Sequence, residues 1–374
     1  MSRSLSRCFY LASLALALSA CGESNDAEPK KVVTRVDIPE SEFKPVELEE
    51  TVDTLVKEIG KTEAKSLQLD VVLKSLTGYW EPVKLGATRA FGELDVQGSV
   101  VAPTEGTEEE ARDRQLALLQ EREGAGYAGL GLAPLADNVV DEIDLLHDSG
   151  TPIVTIDSDL PTSKRSLYIG TINREAGRTA GETLRDMLPG DGGTVIILGH
   201  EVEADWPDGY ARTQGAKDVL EDAGYTVVVR KTNWDDEGAV ADVDFMTTAL
   251  TDADPPAVGM LSMFSPTYRC ARSAEAAGLT ANDITIVGFD FEPETLSYMQ
   301  SGLVKATHAQ RQYYFGYMAP YVLYSLNVLG VERTMDILRP QMVDDTRFNA
   351  GIDVVRSEQV EDYNAYLDSI GIGG

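Results

Sequence analysis

From Leu69 onward the chain alternates short apolar runs with amphipathic stretches of ten to sixteen residues. The runs read "LDVVL", "VQGSVVA", "YAGLGLA", "PIVTI", "LYIG", "GTVIILG", "YTVVVR", "AVGMLS" and "ITIVGF". Segments between them, such as 107–122 and 173–188, carry apolar residues at helical spacing. Strand–helix alternation of this kind predicts an α/β fold with parallel sheets buried on both faces. So many strands in one open sheet would be unusual, so two doubly wound lobes are expected. Upstream, "VELEETVDTLVKEIGKTEAK" (46–65) places Val52, Leu55, Val56 and Ile59 on one helical face and predicts an extra helix. Residues 22–45 show neither period and read as a polar tether.

The first residues do not belong to this pattern. Arg3 and Arg7 precede an apolar run from Phe9 to Leu18, too short to span a bilayer, and Leu18-Ser19-Ala20-Cys21 closes it. This order predicts a signal peptide over 1–20 and resembles a bacterial lipobox, with lipidation at Cys21 as its implication. Several acyl chains at roughly 0.8 kcal/mol per buried CH₂ make a stable membrane anchor. The protein is therefore expected in the cell envelope, exported and lipid-anchored. Of three cysteines only Cys270 then remains, so no intramolecular disulfide holds the fold, and Cys270 is expected to be a buried structural thiol. A formal net charge of −30 over 374 residues repels nucleic acid.

Ligands of doubly wound sheets bind beyond the carboxyl ends of the strands. The stretches there are "KSLTGYW", Asp157, "HEVEADWPDGYAR", "KTNWDD", "SMFSP" and Asp290. They collect aromatics, carboxylates and Arg212 without a nucleophile–base pair. His147, His200 and His308 share no metal-ligand spacing, and the acids of 235–244 lack an EF-hand's glycine and terminal glutamate. Tyr313, Tyr314, Phe315 and Tyr317 fit a core-facing helix. "GAGYAG" (124–129) has dinucleotide-fingerprint glycines, yet it follows a helix and precedes a strand. That is the reverse of the order that brings phosphate to a helix N-terminus.

Two longer stretches, "PIVTIDSDLPTSKRSLYIGTINREAGRTAGETL" (152–184) and "IVGFDFEPETLSYMQSGLVKATHAQRQYYFGY" (286–317), closely resemble type I periplasmic binding proteins of the ribose-binding kind. The resemblance runs from about Leu69 to Tyr366. It implies two doubly wound parallel-sheet lobes joined by three hinge strands, with a sugar or sugar-like small molecule held between them. On this reading 21–66 is the anchored tether and extra helix. One lobe comprises 67–171 plus 311–345 and the other 172–310 plus 346–374, with crossings near Thr171, Gln310 and 345–350. The resemblance further implies ligand-binding roles for Tyr79, Trp80, Asp157, Arg212, Trp234, Asp290 and Gln310; Phe264, which departs from the family's pattern, is expected as a cleft wall or a core residue. Aromatic rings suit the apolar face of a sugar, and charged or amide groups suit its hydroxyls.

Departures are visible too. Thr77-Gly78 replace the family's Asn-Pro, Met263-Phe264-Ser265-Pro266 stand where many members have an asparagine, and Ser158 replaces a second arginine. The implied partner is an ABC transporter permease or, alternatively, a membrane sensor such as a kinase or chemoreceptor. A monomer without catalytic residues, metal or cofactor is expected. An exported sugar-acting enzyme is the remaining alternative.

Overall fold

The computed structural model describes residues 30–373 apart from 104–105, 191 and 205. The expected signal peptide and Cys21 lie outside the described residues. Helix α1 (Val46–Ile59) precedes the first sheet. The chain then alternates through β1 (Gln68–Val72), α2 (Glu81–Leu94), β2 (Gln97–Val101), α3 (Glu108–Gln120), β3 (Gly129–Leu132), α4 (Val140–Asp148), β4 (Ile153–Ile156) and β5 (Leu167–Gly170). The pattern restarts with α5 (Asn173–Met187), β6 (Thr194–Gly199), α6 (Pro207–Asp222), β7 (Thr226–Lys231), α7 (Asp236–Asp252), β8 (Ala257–Ser262), α8 (Thr267–Ala276), β9 (Thr285–Phe289), α9 (Pro293–Gln300) and β10 (Val304–Gln310). The last part holds α10 (Gln312–Val328), α11 (Val331–Leu338), β11 (Arg347–Asn349), β12 (Ile352–Arg356) and α12 (Val360–Ser369).

These strands form two six-stranded sheets ordered β11-β5-β4-β3-β1-β2 and β12-β10-β9-β8-β6-β7. Pairing is parallel except where β12 runs antiparallel to β10. Strand β6 shows why the runs lack alternation. Val195 and Ile197 join the core beneath α5 and α6, while Ile196 and Leu198 join the core beneath α7 and α8, so both faces are buried. Cys270 lies in the second of these cores, and burial pushes its thiol up to about 12.

Each lobe packs one helix pair on glycines. A Cβ on Gly316 of α10 would lie 1.8 Å from the Val83 carbonyl oxygen of α2, and one on Gly177 of α5 would lie 1.8 Å from that of Arg212 in α6. Only glycine lets these backbones touch. The glycines of 124–129 do a different job: Gly124 (φ 66°) and Gly126 (φ 84°) turn the chain from α3 into β3.

The chain passes between sheets three times: from β5 to α5, from β10 to α10, and between β11 and β12. Arg311 ties the last two passages, donating to Asp353 Oδ1 at 2.9 Å and to the Ala350 carbonyl at 3.1 Å. The assignment of everything from 346 onward to the second lobe needs correction. Arg347–Asn349 pairs with β5 of the first sheet, so the third passage falls at Ala350-Gly351. A three-residue strand is too short to carry a readable period.

Residues 30–45, expected to be a free tether, are instead folded onto the first lobe. Lys31 donates to the Thr62 carbonyl, and Arg35 bonds Tyr317 at 3.1 Å and Glu49 at 2.6 Å. Ile38 and Phe43 are buried. Phe43 packs edge-on against Tyr363 of α12, 4.9 Å between ring centres. The segment meets a buried polar cluster under α10: Glu93 takes the hydroxyls of Tyr317 and Tyr321 at 2.6 Å each and Glu49 takes that of Tyr314, while Arg35 bonds Glu49 and the Val36 N–H donates to Glu93 at 3.0 Å.

Candidate ligand-binding cleft

Strand β1 ends in a turn that carries Tyr79 and Trp80 into α2. Tyr79 donates its hydroxyl to Asp157 Oδ1 at 2.6 Å and meets Trp80 at 5.2 Å between ring centres. Asp157 follows β4 with φ 67°, a left-handed backbone that short polar residues tolerate. Its N–H is bonded to the Ile169 carbonyl at 3.0 Å. Asp290 follows β9 in the same way, with φ 60° and its N–H on the His308 carbonyl at 2.9 Å. Lys74 completes the first lobe's wall. It donates to Ser158 at 2.6 Å, faces Asp157 at 3.6 Å and lies over the Trp80 ring.

The second lobe contributes Arg212 from α6. Its guanidinium donates twice to Asn173 Oδ1, at 3.0 and 2.7 Å. It also reaches the Met263 carbonyl at 2.9 Å and Gln310 Oε1 at 3.1 Å. The Phe289 ring lies 4.5 Å away. Gln310, at the second passage between lobes, donates to Asp290 at 3.2 Å and accepts from Thr171 at 3.0 Å. One amide thus touches Arg212, Asp290 and the first passage. Trp206 stacks on Phe264 at 4.3 Å with an 18° tilt, and Trp234 stands edge-on to both. Trp234 is 56% exposed and forms the rim. Its loop is fixed from below by the buried Asp242, which accepts from Asn233, Arg230 and Arg269.

All eight residues named from the sequence line one interlobe cleft of about 650 Å³. Phe264 is nearly all buried and serves both as cleft wall and as core. A smaller hollow of about 240 Å³ lies on the other side of Tyr79, Asp290 and Gln310, closed by Tyr363 and Leu367 of α12. The sequence reading missed Lys74, Asn173, Trp206 and Asp208 as wall residues. A signal existed: Lys74, Trp206 and Asp208 stand in stretches that follow strands, and Asn173 opens the helix after the first passage. Arg212 hydrogen-bonds Asn173 and Gln310 and acts on Asp208 only at a distance.

Three carboxylates share this space. Burial, reinforced by Asp157, pushes Asp208 up to about 6; burial likewise lifts Asp290 to about 6 against the pull of Arg212 and Gln310. His308 is different: it bonds the Gly288 carbonyl and Thr183 behind the cleft, and burial lowers it to about 4. Among the described residues no group of histidine, cysteine and carboxylate side chains is arranged to hold a metal ion. Polar groups at fixed positions with stacked rings make a cleft suited to holding a small polar molecule with an apolar face.

A sequence model of a family, described as the periplasmic binding protein domain, matches residues 70–328. The chain belongs to the periplasmic binding protein family. Solved structures resemble this binding protein over most of both chains. A sugar-binding protein of a sugar ABC transporter from Bacillus halodurans is 22% identical, with TM-score 0.66, covering 80% of this chain and 100% of its own. GanP, a glucose-galactose binding protein from Geobacillus stearothermophilus, is 26% identical, with TM-score 0.60 and coverage of 79% and 98%. A periplasmic ribose ABC transporter protein from Conexibacter woesei is 15% identical, with TM-score 0.68 and coverage of 82% and 97%. No curated protein sequence matches the chain significantly. The family and these neighbours are binding proteins rather than enzymes. Among the described residues no helix is long and apolar enough to cross a membrane.

Proposed function

We propose that this periplasmic binding protein is an exported lipoprotein, anchored at Cys21, that captures a sugar in the interlobe cleft and delivers it to an ABC transporter permease. Tyr79, Trp80, Trp234 and Phe264 give the apolar face of the ligand its rings, and Asp157, Arg212, Asp290 and Gln310 take its hydroxyls. One observation carries the reading: groups from both lobes converge on a single cleft whose floor is the passage between them. Rotation of the lobes about the three passages would enclose the ligand and change the surface a permease meets. The sugar-binding neighbours support the ligand class, GanP most directly.

The test is a thermal-shift screen of sugars and polyols on purified protein. A micromolar ligand at millimolar concentration stabilises by about 4 kcal/mol, which such a screen resolves. A hit whose affinity is unchanged by both Asp157→Ala and Arg212→Ala would overturn the site assignment. For the anchor, Cys21→Ser is expected to move the protein from the membrane fraction to the soluble one.

A further inference from the structure

The cleft commits its own cations to the protein. Lys74 is engaged by Ser158 and Asp157, and Arg212 by Asn173, Gln310 and the Met263 carbonyl. Asp157 in turn is answered by Tyr79, Ser158 and Lys74. Asp208 is not. It lines the cleft from the first turn of α6, and its partner there is the amide of Asn173, whose oxygen is already taken by Arg212. Among the described residues no lysine or arginine comes within ion-pair distance of it. Two indoles line the same wall: Trp206, two residues before Asp208, and Trp234, their rings 5.8 Å apart and inclined at 66°.

Three carboxylates, Asp157, Asp208 and Asp290, thus share the cleft with two cations, and this excess of negative charge, in a wall that also holds two indoles, favours an ammonium group over a neutral hydroxyl. The ammonium donates a charge-assisted hydrogen bond to the carboxylate and gains cation–π attraction from the rings. The rest of the cleft still offers hydroxyl partners in Asp157, Arg212, Asp290 and Gln310. We propose that the ligand is an amino sugar whose ammonium group is held by Asp208 beside Trp206 and Trp234, with its hydroxyls on the remaining polar groups. This rests on the sugar-binding reading and narrows it. The chain's net charge of −30 favours the approach of such a cation.

Isothermal titration of the purified protein at pH 7.5 tests this with D-glucosamine and D-galactosamine against D-glucose and D-galactose. The expected result is that at least one amine binds about tenfold or more tightly than its neutral counterpart. N-acetylation of that amine should remove the advantage. Asp208→Asn should bring the ratio to about one, with the melting temperature of the unliganded variant showing that it is folded. If the neutral sugars bind as tightly as the amines, or if Asp208→Asn keeps the preference, this inference falls while sugar binding stands. If neither class binds, the sugar-binding reading fails and takes this one with it.

Discussion

In the first lobe an aspartate follows β4, in the second one follows β9, and the two are held alike. Both are left-handed, and both bond the next strand through their N–H. Both carbonyls accept a hydroxyl from that strand, Tyr168 for Asp157 and Thr307 for Asp290. The sheets share one strand order, and each lobe closes a helix pair through glycine. The surroundings then diverge. Asp157 is answered by a tyrosine and a lysine of its own lobe, while Asp290 has Gln310 from the passage and lies under the influence of Arg212. The first lobe also carries the packed segment 30–59, and its core includes Tyr363 and Tyr366 of α12; α12 gives the second lobe Val360, but among the described residues no added segment braces that lobe. The repeated unit positions a carboxylate at the same point of each sheet, and the loops decide what that carboxylate does.

The brace offers the largest break in the comparison. Phe43→Ala removes a buried ring from between the first lobe and α12 and should cost about 3 kcal/mol or more, read as a lowered melting temperature. If stability is unchanged, the segment is an ornament and the lobes are equivalent. The glycine contacts come next. Gly177→Ala and Gly316→Ala each force backbones apart and should cost about 1–3 kcal/mol in denaturant unfolding. Only Gly177→Ala should also weaken ligand binding, because the displaced atom belongs to Arg212.

A smaller effect separates rim from floor. Trp234→Ala should cost about 1 kcal/mol of binding in a titration, since the ring is half exposed, with little change in stability. Arg212→Ala, buried and shared by three acceptors, should cost more in both. The smallest effect is in pH. Burial raises Asp208 and Asp290 above their unfolded value of 3.8 to about 6, so the folded state binds more protons between those values. Their protonation favours folding fully below about pH 3.8, and this contribution is lost as pH rises through about 6. The unliganded protein should therefore melt higher at pH 5.5 than at 7.5. Asp290→Asn should reduce that difference, and an unchanged slope would remove Asp290 as its source.

Much of the molecule was readable from local rules. Apolar runs of four to seven residues announced every strand up to β9, and stretches just past those runs contained most of the wall of the cleft. Asp157 and Asp290 stood out because they end such runs. The same rule covered Trp206 and Asp208, but a helix-initiating Trp-Pro-Asp looks no different from any other helix start until its neighbours are known. The short strand Arg347–Asn349 and the fold-back of 30–45 left no periodic trace.

The sequence alone determined the class of fold, because buried parallel strands must be continuously apolar and their helices amphipathic. It also determined which strand ends are polar and aromatic. Tertiary structure decided which of those ends meet, since Gln310 joins Arg212 and Asp290 only where the chain passes between sheets. It also decided that Lys74 answers Asp157 while Asp208 is left facing the cleft, and that Phe43 belongs to a core. These outcomes depend on distances between residues far apart in the chain, which no local pattern of hydrophobic and polar positions records.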